Sequence, residues 1–511
     1  MRNTRGFTAV LAVTTLTALG VAACDSADDE DRPAAAALAW GPCPAPAPGT
    51  TRDPRLTCAK VKVPLDYGRP DGKSVDVTIS RLGAADPAKR HGVLLLNPGG
   101  PALPGLDTPG AMAPTLPKTV LDGYDLIGFD PRGVGTSTPQ SCGLDDPGVA
   151  ALFPYPAADG SIDANVRSAR ATAAKCAAKG GDDLRYFTTA NTARDLDRVR
   201  EALGEAKISY WGQSYGTYLG TVYNALFPDR ADRVILEGNV DPAHVWAGEA
   251  ASWGKGMAER FPDAAAVAAG QNAALGLGAT AEDVTRTYLA LADRLDRRPA
   301  PVPGTPQALS GALLRGVTYA LLLHNDTLPV LAQVWKAAGD LADGRLTEAD
   351  GQVLEQVFAD SPAAPGVPAD NQATMFLALT CGDAEWSHDV GDYARRTAAD
   401  RATWPLTAGM PANIWPCAFW PRPVEKPVAV TDQGPRNTLI LQNRRDHATT
   451  WDSGVGLRRI LGGRAALVGV DNGGHYVHHE GSACADNATA AFLNTGRLPE
   501  KDLDCTDVAR R

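Results

Sequence analysis

Lys207-Ile208-Ser209-Tyr210-Trp211-Gly212-Gln213-Ser214-Tyr215-Gly216 runs directly into Thr217-Tyr218-Leu219-Gly220-Thr221-Val222-Tyr223. An apolar, aromatic-rich run that ends in G-x-S-x-G and continues with helical spacing reads as a strand, a tight turn and a helix. The glycines on either side of Ser214 let the backbone bend without Cβ clashes. The helix start behind the serine offers free N–H groups and a dipole that favours developing negative charge. Ser214 is therefore the candidate nucleophile, and the rest of the chain is searched for what would activate it.

Working outward, the pattern on both sides is that of an α/β sheet. Val93–Leu96 is a short continuous apolar run ending in Asn97-Pro98-Gly99-Gly100-Pro101, and Tyr124–Phe129 is another, ending in Asp130-Pro131-Arg132-Gly133. Such runs suit strands buried on both faces of a parallel sheet. Val61 to Leu82 alternates around Gly68–Gly72 and predicts a hairpin. Thr192–Leu203 and Tyr215–Phe227 read as helices, and Arg233–Glu237 as a strand. From residue 239 to 430 the character changes to Ala-rich helical stretches, with seven of the ten Trp inside them. The sheet pattern resumes with a strand at Thr438–Leu441, a helix at Asp452–Leu461 and a strand at Ala465–Val470. The expected fold is α/β, a mostly parallel sheet with helices on both faces, its residues 43–238 and 431–511 interrupted by a helical cap at 239–430.

A serine hydroxyl needs a base, and the base an orienting carboxylate. After a turn of this kind the chain order is serine, acid, histidine. Of the eight His, those in the resumed sheet half are His447, His475, His478 and His479. His475 follows the strand Ala465–Val470 and is the expected base, with His478 and His479 expected to be solvated. Asp446, just beyond the strand at Thr438–Leu441, is the expected acid. Asp452 reads as a helix N-cap and Asp471 lies too close to His475. Backbone N–H groups at Gly100 and Tyr215 are the expected oxyanion donors. Asp130 and Arg132 are expected to form a local ion pair bracing the loop. No Cys or His spacing builds a full zinc ligand set, so neither metal nor organic cofactor is expected.

Arg2 and Arg5, the apolar stretch Phe7–Leu19 and Val21-Ala22-Ala23-Cys24 read as an export signal over residues 1–23, of the type in which Cys24 is lipidated. Residues 24–42, acidic and then Ala/Pro-rich, read as a tether. The expectation is a bacterial protein held at the outer face of the cell membrane by a lipid on Cys24, or secreted. Eight further cysteines (Cys43, Cys58, Cys142, Cys176, Cys381, Cys417, Cys484 and Cys505) suit disulfides in an oxidising compartment, and pairing in sequence order closes four local loops. A net charge of −10 offers no basic field for nucleic acid or an anionic membrane. The expected partners are a peptide or small acyl substrate, and the protein is expected to be a monomer.

Together, Val63-Pro64-Leu65-Asp66-Tyr67, Asn97–Pro101, Gly128–Gly135, Gly212–Gly216, Thr380-Cys381-Gly382-Asp383, and Cys484, Leu498-Pro499 and Cys505 resemble the secreted tripeptidyl aminopeptidases and their proline-iminopeptidase-like relatives. These are capped α/β-hydrolases of the serine peptidase type. The resemblance implies Ser214, Asp446 and His475 as triad, cleavage of short peptides from a free N-terminus, and a cap that limits substrate length. The chain departs from its relatives at Ala102, where they continue Gly-Gly-Pro with Gly, and at Glu237-Gly238, where they carry Asp-Gly. An aminopeptidase must meet the substrate's α-ammonium with a carboxylate, and by position Glu237, Asp383 and Glu385 are the candidates. Two rivals stand beside this reading: an esterase or amidase using the same machinery, and a lipid-anchored binding protein that has kept the fold without turnover.

Overall fold

The computed structural model describes residues 38–145, 153–305, 307–359 and 362–508. Cys24, the export signal and most of the tether lie outside the described residues. The strands are β1 (Gly41–Pro42), β2 (Thr57–Pro64), β3 (Ser74–Leu82), β4 (Gly92–Asn97), β5 (Tyr124–Phe129), β6 (Ile208–Gln213) and β7 (Ala231–Glu237). After them come β8 (Ala300–Pro301), β9 (Ala308–Leu309), β10 (Thr438–Arg445), β11 (Ala465–Gly473) and β12 (Leu503–Cys505). All but the small β8–β9 pair form one sheet, in the order β1-β2-β3-β5-β4-β6-β7-β10-β11-β12. β1, β2 and β3 pair antiparallel as far as the β3–β5 junction, and from β5 to β12 every pairing is parallel.

Strand periodicity divides the apolar residues between two layers. Val93 and Leu95 of β4 face one side, where they join Leu196 and Val199 of the helix Thr189–Ala202 and Leu219 and Val222 of the helix Tyr215–Leu226. Leu94 and Leu96 face the other, with Val120 and with Phe492 and Leu493 of the helix Ala483–Thr495. All four β4 residues are buried, the condition that a continuous apolar run predicts for a central strand.

Between β7 and β10 the chain is mainly helical. The helices Ala247–Gly270, Ala281–Arg297, Gly311–Leu321 and Leu328–Ala342 enclose an apolar cluster of their own around Phe261, Tyr288 and Trp335. The helix Asn371–Gly382 belongs elsewhere: its Met375, Phe376 and Leu379 pack into the sheet's own core. The second half of the inserted segment is thus built into the sheet domain, and Ala37–Arg511 forms one unit.

The cysteines pair in sequence order, Cys43–Cys58, Cys142–Cys176, Cys381–Cys417 and Cys484–Cys505. The Asp130–Arg132 ion pair does not form. Arg132 instead reaches buried Asp195, 2.5 Å away, and four of its donors also meet Asp195 or the carbonyls of Pro64, Leu65 and Tyr186. Asp130 accepts from the Gly105 and Thr136 amides, tying down the loop that follows β5. A guanidinium with five donors finds more carbonyls across the fold than within its own turn.

Candidate active site

The loops that leave the C-terminal ends of β4, β6, β7, β10 and β11 converge, the usual place for a site on an open parallel sheet. Ser214 sits between β6 and the helix Tyr215–Leu226 at φ 55° and ψ −124°, a conformation costly for a residue with a Cβ. Two bonds hold it there: the Ser214 amide donates to the Glu237 carbonyl (2.8 Å), and the Thr217 hydroxyl donates to the Ser214 carbonyl (2.6 Å). Gly99, at φ 94°, lies directly against this turn. A Cβ on Gly99 would fall 2.5 Å from the Gln213 carbonyl oxygen and 2.8 Å from Ser214 Cβ, so only glycine lets the β4 loop approach. The approach brings Gly100 beside Ser214 and Tyr215, whose N–H, as the first of a helix, has no intrahelical acceptor.

His475 and Asp446 meet at the ends of β11 and β10. His475 Nδ1 lies 2.9 Å from Asp446 Oδ2, and both side chains are shielded from solvent. A carboxylate only accepts, so Nδ1 carries the proton and Nε2 is left basic. Asp446 also accepts from the Ala448 and Thr449 amides, the Thr449 hydroxyl (2.9 Å) and Gln442 Nε2 (3.2 Å). The His475 loop is fixed from three sides. Its amide donates to the Leu323 carbonyl of the inserted segment (2.7 Å). The amides two and three residues on, Val477 and His478, donate to Glu237 Oε1 (both 2.7 Å). Gly238, at φ 64°, packs against the ring so closely that a Cβ there would lie 2.9 Å from His475 Cε1.

The three carboxylates expected to receive a substrate amine are placed differently. Glu237 is fully buried, and Trp211 Nε1 and Gln213 Nε2 occupy its second oxygen at 2.9 Å each. With four donors already satisfied it serves the scaffold. Asp383 accepts from the Thr189 amide and hydroxyl, and Thr189 in turn meets the Tyr215 hydroxyl; burial raises the Asp383 carboxyl to about 6. Glu385 is exposed, beside Trp386 in a shallow groove apart from Ser214. His478, expected in solvent, is half-buried in contact with Thr115 and Asp486. Burial opposes its charge, but the Asp486 carboxylate outweighs that and raises its pKa.

Ser214, Tyr215 and Gly100 open on a cavity of about 80 Å³. Its walls are aromatic: Trp246, Trp253, Tyr319, Phe376, Trp386 and Trp415. The Trp-rich composition of the inserted segment signalled such a wall without locating it. One acidic side chain lines the cavity, and it is one that sequence reasoning passed over. Glu249, in the first turn of the helix Ala247–Gly270, reads in sequence as an ordinary acid at a helix N-terminus. Thr449 was missed too, being one of many threonines until the fold sets it between Asp446 and His475.

The elbow, the oxyanion loop and the parallel sheet define an α/β-hydrolase of the serine type. A model of the alpha/beta hydrolase fold matches residues 92–319, and a model described as TAP-like protein matches residues 406–505. The chain is 31% identical to the tripeptidyl aminopeptidase of Streptomyces lividans, covering 94% of this chain and 88% of that one. It is 31% identical to the serine protease Hip1 of Mycobacterium tuberculosis (91% and 90% covered) and 33% identical to carboxylesterase B of the same organism (91% and 89%). The protein belongs to the tripeptidyl aminopeptidase-like family of α/β-hydrolases and is a serine hydrolase.

Proposed function

We propose that the protein is an exported aminopeptidase that releases short peptides, tripeptides among them, from free N-termini. Ser214 is the nucleophile, His475 the base and Asp446 the carboxylate that orients it. The observation that carries this reading is the sealed His475–Asp446 pair, linked to the strained Ser214 turn through Glu237, whose carbonyl takes the Ser214 amide, and Gly238, which packs on the His475 ring. His475 Nε2 takes the Ser214 hydroxyl proton as the oxygen attacks the scissile carbonyl. The N–H groups of Gly100 and Tyr215 receive the oxyanion, and fixed dipoles at that point lower the barrier more than they stabilise bound substrate. His475 then protonates the leaving amine, and water, deprotonated in turn by His475, resolves the acyl-enzyme. Export, with a lipid on Cys24, rests on the N-terminal sequence and agrees with the four disulfides. No helix among the described residues is long and apolar enough to cross a membrane.

The test is turnover of a tripeptide 4-nitroanilide, offered with a free and with an acetylated N-terminus. Ser214→Ala should lose about 10,000-fold or more in kcat. Cleavage confined to the free form supports an aminopeptidase. Equal cleavage of both forms points to a general amidase or esterase, the activity that the name of the 33%-identical relative suggests.

A further inference from the structure

Glu249 is out of place unless something is meant to meet it. Its carboxyl is buried, 4% exposed, in the aromatic cavity that holds Ser214. The Ser453 hydroxyl, 3.1 and 3.3 Å from its two oxygens, is its one side-chain hydrogen-bond partner. The groups facing it are acidic or neutral: Asp446 and Asp241 by charge, with the Asp241 amide nearby, and Tyr319 from the inserted helices. Desolvation, reinforced by the charges of Asp446 and Asp241, raises its pKa to about 8. No Lys or Arg lines the cavity to offset a negative charge. A buried carboxyl in a cavity walled mainly by aromatic rings and lined by no cation is costly to ionise. An arriving ammonium reverses that balance by pairing with the carboxylate and lying on indole faces.

We propose that Glu249 is the anchor for the α-ammonium of the substrate, seated in the aromatic box formed by Trp246, Trp253, Tyr319, Phe376, Trp386 and Trp415. The proposal rests on the aminopeptidase reading and deepens it. It transfers to Glu249 the role first assigned by position to Glu237, Asp383 and Glu385. The anchor also gives specificity a physical basis, because an acetylated N-terminus carries no charge to meet the carboxylate. A neutral chain end then leaves Glu249 protonated and gains only apolar contact.

The experiment compares wild type and Glu249→Gln on the same tripeptide 4-nitroanilide with free and acetylated N-termini. Labelling of Ser214 by a fluorophosphonate reports that the site is intact. Wild type should favour the free amine, and Glu249→Gln should reduce the free-to-acetylated ratio of kcat/KM by about tenfold or more, the size expected for a lost charge-assisted contact. If wild type shows no preference, the aminopeptidase reading fails and the anchor with it. If wild type shows the preference and Glu249→Gln keeps it while still labelling, the anchor alone is overturned. Should Glu249→Gln fail to label, Glu249→Asp replaces it. That variant withdraws the charge by one methylene and should lower the ratio by less, and an unchanged ratio in it overturns the anchor.

Discussion

Gly238 is where one missing atom governs the geometry of the site. The residue leaves β7 at φ 64°, and the space a methyl would fill is already taken by the His475 ring and by the His475 carbonyl, each 2.9 Å away. In Gly238→Ala the ring must move, and its 2.9 Å bond to Asp446 stretches or breaks. The left-handed backbone adds about 1–2 kcal/mol of strain. Steady-state kinetics should show kcat lowered by about tenfold or more with KM nearly unchanged, because the substrate cavity is lined by other residues. A variant with wild-type kcat would mean that the ring does not depend on this contact. The same position shows how far sequence reading reached. Ser214, Asp446 and His475 could be singled out as candidates because strand-to-loop order is written in local pattern. Gly238 and Glu249 could not, since their significance is a contact across the fold, with His475 237 positions on and with Ser453 204 positions on.

The helix Asn371–Gly382 and the turn Pro416–Phe419 carry adjoining walls of the cavity, Phe376 and Thr380 on one and Trp415 beside the other, with the Phe376 and Trp415 rings stacked 5.9 Å apart. The Cys381–Cys417 disulfide joins them across 36 residues. Closing a loop of that length removes about 4 kcal/mol of chain entropy from the unfolded state. Cys381→Ser with Cys417→Ser should lower the free energy of unfolding by about that amount in a urea titration, and reduction of the wild type, which opens all four disulfides, should lower it further. Loss of less than about 1 kcal/mol would mean that packing alone holds the walls. Strands and helices of the sheet domain could be read from the sequence because their apolar spacing is set by burial on one face or two. The placement of Asn371–Gly382 could not. An apolar helix packs equally well on a cap or on a sheet, and only tertiary contact decides between them.

Three buried groups shape how the stability of the entire protein changes with pH, two in one direction and one in the other. Glu249 is raised to about 8 when folded against an ordinary value of 4.5. Between those values the folded state holds a proton that the unfolded chain has released. This contribution is complete below pH 4.5 and is lost as pH rises through 8. Asp383, raised to about 6, acts in the same sense at lower pH. His447 acts the other way: burial lowers it from 6.5 to about 4, so stability is lost as pH falls through that interval. Summed over the three, stability declines with rising pH between about 6.5 and 8, where Glu249 alone of them still titrates, so urea midpoints should fall along an alkaline limb over that interval, and Glu249→Gln should flatten it. An alkaline limb as steep in the variant as in wild type would remove Glu249 from the account.

The hydrogen bond from the His475 amide to the Leu323 carbonyl has a consequence for when the enzyme can first act. That carbonyl is supplied by a segment that must itself have folded around Phe261, Tyr288 and Trp335. A chain whose inserted segment has not folded therefore lacks the acceptor that seats the His475 loop, and a trimmed version without the inserted helices would lose that support rather than become a smaller copy of the same site.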